Sequence, residues 1–212
     1  MTCASVPRTR LGWKRGIWTV ALSLLVLAAC GGSNDAAEAN KIRTDAEATA
    51  RRATEKLTGT LMGEVQKSIK ERGLAGTVTH CSNRAQELST LVGAEEGVVI
   101  RRVTEKTRNP VDAPDVFERR VLAHFAQLAQ RGEIDASTAY VEVVREDDRE
   151  MLRFLKPITI KKPCLGCHGP STSLADDVRQ AIHEQYPSDL ATGYSEGDLR
   201  GAVSVSVPLG ED

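Results

Sequence analysis

The chain has 212 residues, with 28 Lys and Arg against 29 Asp and Glu, so its formal net charge is −1. That length suits one domain once a short leader is set aside. The absence of a basic excess argues against nucleic acid as a partner.

The leader comes first. Arg8, Arg10, Lys14 and Arg15 make a positive start, and Ile17 to Ala29 is an apolar run too short to span a bilayer comfortably. Leu27-Ala28-Ala29-Cys30-Gly31-Gly32 closes that run with small residues before a cysteine. This is the pattern of a bacterial lipoprotein signal. Residues 1–29 are expected to be removed and Cys30 to carry lipid, so the membrane is a partner through that lipid and the protein faces the periplasm. The competing reading is an ordinary cleaved signal with an incidental cysteine. Without the leader, 24 basic residues stand against 29 acidic ones, a net charge of −5. Residues 30–44, rich in Ala, Asn and acidic residues, read as a tether, and residues 45–212 as the folded domain.

The domain opens with a long helix over residues 45–72. Leu57, Leu61, Val65 and Ile69 recur at four-residue steps as a narrow apolar stripe, and Gly73 ends it. A second helix follows over residues 74–92. Its apolar positions Leu74, Val78, Cys81, Ala85, Leu88 and Val92 alternate steps of four and three, which puts Cys81 inside the stripe. His80 lies about 100° away around that helix, on its polar side. Cys81 is then either a small buried hydrophobe or a ligand, and the periodicity leaves both open.

Residues 97–104 read as a strand carrying Arg101 and Arg102; these and Arg108 are candidate partners for anionic groups. Pro114-Asp115 starts a helix that runs to Arg131, where His124 borders the apolar face and reads as packing. Residues 138–145 and 151–160 form a hairpin around the polar turn at Glu146-Asp147-Asp148-Arg149. A short helix holds Leu174, Val178 and Ile182, and Ala202 to Leu209 alternates strictly, as a half-buried strand does. The expected class is α+β: an antiparallel sheet flanked by helices, with a long N-terminal helix.

The hairpin leads into Lys162-Pro163-Cys164-Leu165-Gly166-Cys167-His168-Gly169. Two cysteines two residues apart, with histidine directly after, are the pattern of covalent c-type haem attachment. The gap lets both thiols add to the vinyl groups along one porphyrin edge, and His168 falls beneath the iron as proximal ligand. One haem c, held by Cys164 and Cys167, is expected. A zinc half-site would need a second ligand pair. A thioredoxin-like dithiol would open a helix after a strand, whereas Gly169-Pro170-Ser171-Thr172-Ser173 follows here. Of five cysteines, Cys3 leaves with the leader, Cys30 takes lipid and two hold haem, so Cys81 is the one unassigned thiol. No methionine follows His168, unlike a common soluble cytochrome c, and the alternating C-terminal strand does not belong in a four-helix-bundle cytochrome.

Several blocks together resemble a known family. They are Cys81-Ser82-x-x-Ala85, Arg101-Arg102-Val-Thr-x-Lys106-x-Arg108-Asn109-Pro110, Pro114-Asp115-x-x-Glu118, the haem motif, and Tyr186-Pro187-x-Asp189-x-Ala-Thr-Gly193-Tyr194 running on to Gly201. The chain is similar to the single-haem c-type domain with a PAS-like fold (DUF3365), in a bacterial lipoprotein form. Asp112 departs from the pattern, which has asparagine there. The resemblance implies His168 and a Cys81 thiolate as the two axial ligands. It also implies a redox or small-ligand sensor working with a redox or signalling partner protein; a periplasmic electron-transfer lipoprotein is the alternative. An enzyme is not expected, because a bound Cys81 would close the iron site.

Overall fold

The computed structural model describes residues 31–210, without the side chains of residues 31–34, 82 and 83. The expected leader and the lipidated Cys30 lie outside the described residues. The chain divides into a unit ending at Ala37 and one covering Glu38–Asp212, and apart from the start of the first helix everything described below lies in the second.

The class is α+β. The first element, α1 (Gly31–Glu96), is interrupted at Gly73, whose φ of 71° and ψ of −179° suit only glycine. The chain reverses there, so α1 is two antiparallel arms rather than one rod. Several polar contacts tie the arms. Lys56 and Arg52 meet Glu96 at 2.9 and 2.8 Å, His80 Nε2 lies 2.8 Å from Glu64 Oε1, and Thr77 Oγ1 lies 3.1 Å from Ser68 Oγ. The glycine stop agrees with the sequence reading, but the first arm already begins at Gly31, inside the stretch expected to be a tether, and the second runs on to Glu96 rather than ending at Val92.

Four antiparallel strands follow: β1 (Val99–Val103), β2 (Tyr140–Glu146), β3 (Arg149–Thr159) and β4 (Leu199–Pro208). They lie in the order β1-β4-β3-β2, so the last strand fills the middle of the sheet. Asp147 and Asp148, both at positive φ, make the two-residue turn between β2 and β3. That turn's twist matches the strands, and aspartate tolerates the left-handed region. Gly201 on β4 has a packing reason. A Cβ there would stand 2.3 Å from the Val103 carbonyl oxygen of β1.

Helix α2 (Val116–Gln130) begins with a reciprocal cap. Asp115 Oδ1 accepts from the Glu118 N–H at 2.7 Å, and Glu118 Oε2 accepts from the Asp115 N–H at 2.8 Å. This explains the Pro-Asp-x-x-Glu block. Val121, Leu122 and Phe125 pack on Val103, Leu155 and Ala202, on one face of the sheet. The α1 arms cover the other face, against Ile100, Leu152, Phe154, Val203, Val205 and Val207.

One detail of the first stripe differs from expectation. The residues buried on the sheet are Ala46, Ala50, Ala53 and Leu57, while Ile69 is exposed. Alanines carry the packing because only small side chains let that arm approach the sheet closely. Beyond Leu61 the stripe lines a cavity instead. The second stripe holds: Val78, Ala85, Leu88 and Val92 are buried, with Leu74 and Cys81 half-buried.

Candidate cofactor site

A cavity of about 320 Å³ lies between the two α1 arms and the motif segment. Its wall includes Cys164, Cys167 and His168 from the motif and Cys81 from the second arm. The sequence-derived site residues inside the described region therefore face one space, across a separation of more than 80 positions in the chain.

Local structure explains the motif's shape. Lys162–Cys164 is a single 3₁₀ turn and α3 (Leu165–His168) one further turn. Gly169 ends it, donating its N–H to the Leu165 carbonyl at 2.9 Å. A Cβ on Gly169 would meet that same oxygen at 2.7 Å, so the tight exit needs glycine. Behind the motif runs the segment from Tyr186 to Tyr194. The Tyr194 and Gly193 N–H groups donate to the carbonyls of His168 and Gly169, at 3.0 and 2.9 Å. The ring of Tyr194 stands edge-on to that of His168, with centroids 6.2 Å apart.

The imidazole of His168 is held in one orientation. Its Nδ1 lies 2.7 Å from the Ala191 carbonyl oxygen. A carbonyl only accepts, so Nδ1 carries the hydrogen and Nε2 keeps its lone pair. Burial, together with the charges of Arg108 and Arg200, pushes the ring's pKa down to about 3, so it is neutral near pH 7. A neutral ring with a free Nε2 and a carbonyl behind Nδ1 is the usual state of a metal-bound histidine.

Arg108 fastens this assembly. Its Nε donates to Asp189 Oδ1 at 2.8 Å and its Nη2 to the carbonyls of Cys167 and Ala191 at 2.7 and 3.4 Å. It thus joins the loop after β1 to the motif and to the segment behind it. Lys106 adds a bond to the Thr192 carbonyl at 2.7 Å and lies 4.2 Å from the centre of the Tyr194 ring. The resemblance blocks that flank the motif in sequence are its physical support.

The arginines divide by strand parity. Neighbours on a strand point to opposite faces. Arg101 meets Glu118 of α2 and the Ala113 carbonyl, away from the cavity. Arg102 lines the cavity. Its Nη2 is 3.5 Å from Asp112 Oδ2, and its buried Nε has no partner. Arg200, which the sequence reading passed over, also lines it, bonded to Thr104 Oγ1 at 2.9 Å and the Lys106 carbonyl at 3.2 Å. Its place in the final block was the signal available. Asp112 is buried in the wall and accepts from Gln86 Nε2 at 2.8 Å. Of the three arginines expected as anion partners, one faces the other way, one is spent on Asp189, and Arg102 retains free capacity.

Two histidines stand apart. His80 is joined to Glu64 and does not line the cavity. His124 is exposed on α2, its ring 6.2 Å from that of Tyr140. The Cys81 thiol is pushed above its ordinary pKa, chiefly by burial and then by Glu64, with Arg102 opposing. Such a sulfur is neutral until a cation draws off its proton. The wall as a whole offers thiols, one oriented imidazole nitrogen and a cationic edge. Those are the groups that hold a flat metal-bearing ligand with acidic substituents. Among the described residues no cluster of three or more His, Cys, Asp and Glu is arranged to hold a metal ion by itself, and no helix is long and apolar enough to cross a membrane.

A family model described as Tll0287-like matches residues 35–208. Among solved structures, the chain is similar to the crystal structure of the cyanobacterial heme-protein Tll0287. The two are 24% identical with a TM-score of 0.51, over 73% of this chain and 96% of that one. At that identity the likeness concerns the fold. No curated protein matches the chain.

Proposed function

The chain belongs to the Tll0287-like family, and we propose that it is a membrane-anchored, periplasm-facing protein that carries one haem c and senses redox state or a small ligand. Cys164 and Cys167 hold the haem through thioethers, and His168 Nε2 and the Cys81 thiolate are its axial ligands. The observation that carries this reading is the tautomer of His168. The Ala191 carbonyl reserves Nε2 for a metal, in a cavity that also receives both motif thiols and Cys81. The unpartnered Arg102 Nε and the adjoining Arg200 favour the haem propionates. That the solved neighbour is a heme-protein supports the same cofactor.

When bound, the haem supplies a one-electron iron centre whose preference follows its axial ligands. Cys81 as thiolate donates charge and favours ferric iron. With the haem bound, reduction of its iron would weaken that bond, and Cys81, on a helical arm, would be free to take a proton and withdraw. This favours a sensor over a carrier and leaves no standing open site for catalysis. The output passes to a redox or signalling partner protein, and nucleic acid has no part. Lipid on Cys30 holds the protein at the membrane. Mass spectrometry of membrane-purified protein should find a lipidated Cys30 at the mature N-terminus; an unmodified chain starting elsewhere would refute the anchor.

The deciding experiment is absorption and EPR spectroscopy in both oxidation states. The ferric protein is expected to be low-spin and thiolate-ligated. Cys81→Ala should abolish that spectrum and raise the potential, because a ligand that stabilises ferric iron is lost. His80→Ala should leave the spectrum unchanged, since His80 is held by Glu64. The reverse pattern would assign the ligand to His80 and remove the basis of the sensor. A protein that keeps both ligands through a full redox cycle would be an electron carrier instead.

A further inference from the structure

Met62 lines the same cavity as Cys81 and His168. It sits on the first arm of α1, with 44% of its surface exposed, and it belongs to none of the apolar clusters that form the core. The Glu64–His80 and Ser68–Thr77 contacts set the register of the two antiparallel arms. In that register Cys81 stands level with residues 63 and 64. Met62 is therefore offset along the arm by only about 1.5–3 Å, at the rise of an α-helix. Beside it, a Cβ on Gly63 would meet nothing within 4 Å, so no neighbour on that side confines the side chain. Methionine has three rotatable bonds and a polarisable sulfur, and here little packing holds them.

We propose that the Met62 thioether is a second distal iron ligand, which replaces Cys81 when the haem iron is reduced. This deepens the reading above and rests on Cys81 being the ferric ligand. A one-electron donor supplies the electron, which goes to iron, and solvent supplies one proton, which goes to the Cys81 sulfur. The iron–thiolate bond breaks and Cys81 leaves as a neutral thiol. An iron–thioether bond forms, and Met62 neither gains nor loses a proton. The direction follows from ligand character: an anionic thiolate suits ferric iron, whereas a neutral, soft thioether suits ferrous iron and raises the potential. The apolar residues around Met62 contain no other donor of that kind. Reduction would then exchange a ligand on one arm for a ligand on the other, and a partner could read the changed hold between the arms.

The test uses the haem-loaded protein with methyl-¹³C methionine, reduced with dithionite and followed by NMR. The sequence has three methionines, and Met151 lies on β3 opposite Pro208, outside the cavity wall. One methyl signal is expected to move strongly upfield on reduction, from the ring current of the haem. It should vanish in Met62→Leu and persist in Met151→Leu. Met62→Leu should also lower the potential while leaving the ferric thiolate EPR spectrum intact. An intact ferric thiolate spectrum with no shifted methyl after reduction would overturn the Met62 proposal and leave Cys81 standing. A ferric protein without thiolate character would overturn the Cys81 reading, and ligand exchange with it. A shifted methyl that survives Met62→Leu would also overturn the proposal.

Discussion

Replacing both Cys164 and Cys167 with alanine is expected to abolish covalent haem completely. On a denaturing gel stained for peroxidase activity, the wild-type band should have no counterpart in the double variant. Each single variant should keep at most one thioether and a weaker stain. The reason is chemical: a thioether survives denaturation, whereas axial coordination by His168 or Cys81 does not, because it depends on the fold. Cys81→Ala is the internal control. Its sulfur is proposed to bind iron and not the porphyrin edge, so its stain should remain. Persistent covalent haem in the double variant would show that another side chain makes the bond and that the motif has been misread. All three thiols are free in the structure, half-buried, and lie at the one cavity.

The second large effect concerns stability. Asp189→Ala should destabilise the protein by about 3–5 kcal/mol, the range for removing one partner of a buried ion pair. The side chains of Asp189 and Arg108 are only 8% and 12% exposed. Without the carboxylate, a buried guanidinium keeps only carbonyls as partners. The urea midpoint should fall with little change in slope. Replacing both members by leucine should cost less than the single change, because no charge is then stranded. The site should respond as well, since Arg108 also binds the Cys167 and Ala191 carbonyls and Ala191 orients His168. A loss below about 1 kcal/mol would mean that the pair behaves as a solvent-screened surface bridge.

What the sequence determined by itself was local. The Cys-x-x-Cys-His spacing is a matter of reach over five residues. The stop at Gly73, the Asp115–Glu118 cap, the Asp147-Asp148 turn and the alternation of β4 each follow from backbone preferences or from side chains within about four positions. The place of Cys81 on a buried stripe followed in the same way, and the recurrence of several blocks pointed to the family.

Only the tertiary structure decided how those pieces meet. β4 enters the sheet between β1 and β3, which brings Gly201 and Arg200 beside the loop after β1. Parity then sends Arg101 to α2 and leaves Arg102 for the cavity. The alanines of the first arm became core because a sheet lay close enough to need small side chains. His168 is oriented by a carbonyl 23 residues away, and Arg108 is paired across 81. Periodicity reports which face of an element is apolar but carries no information about which distant element will cover it. That choice is made by strand order and by the packing of the whole chain, and here it turned separated short blocks into one wall around the motif.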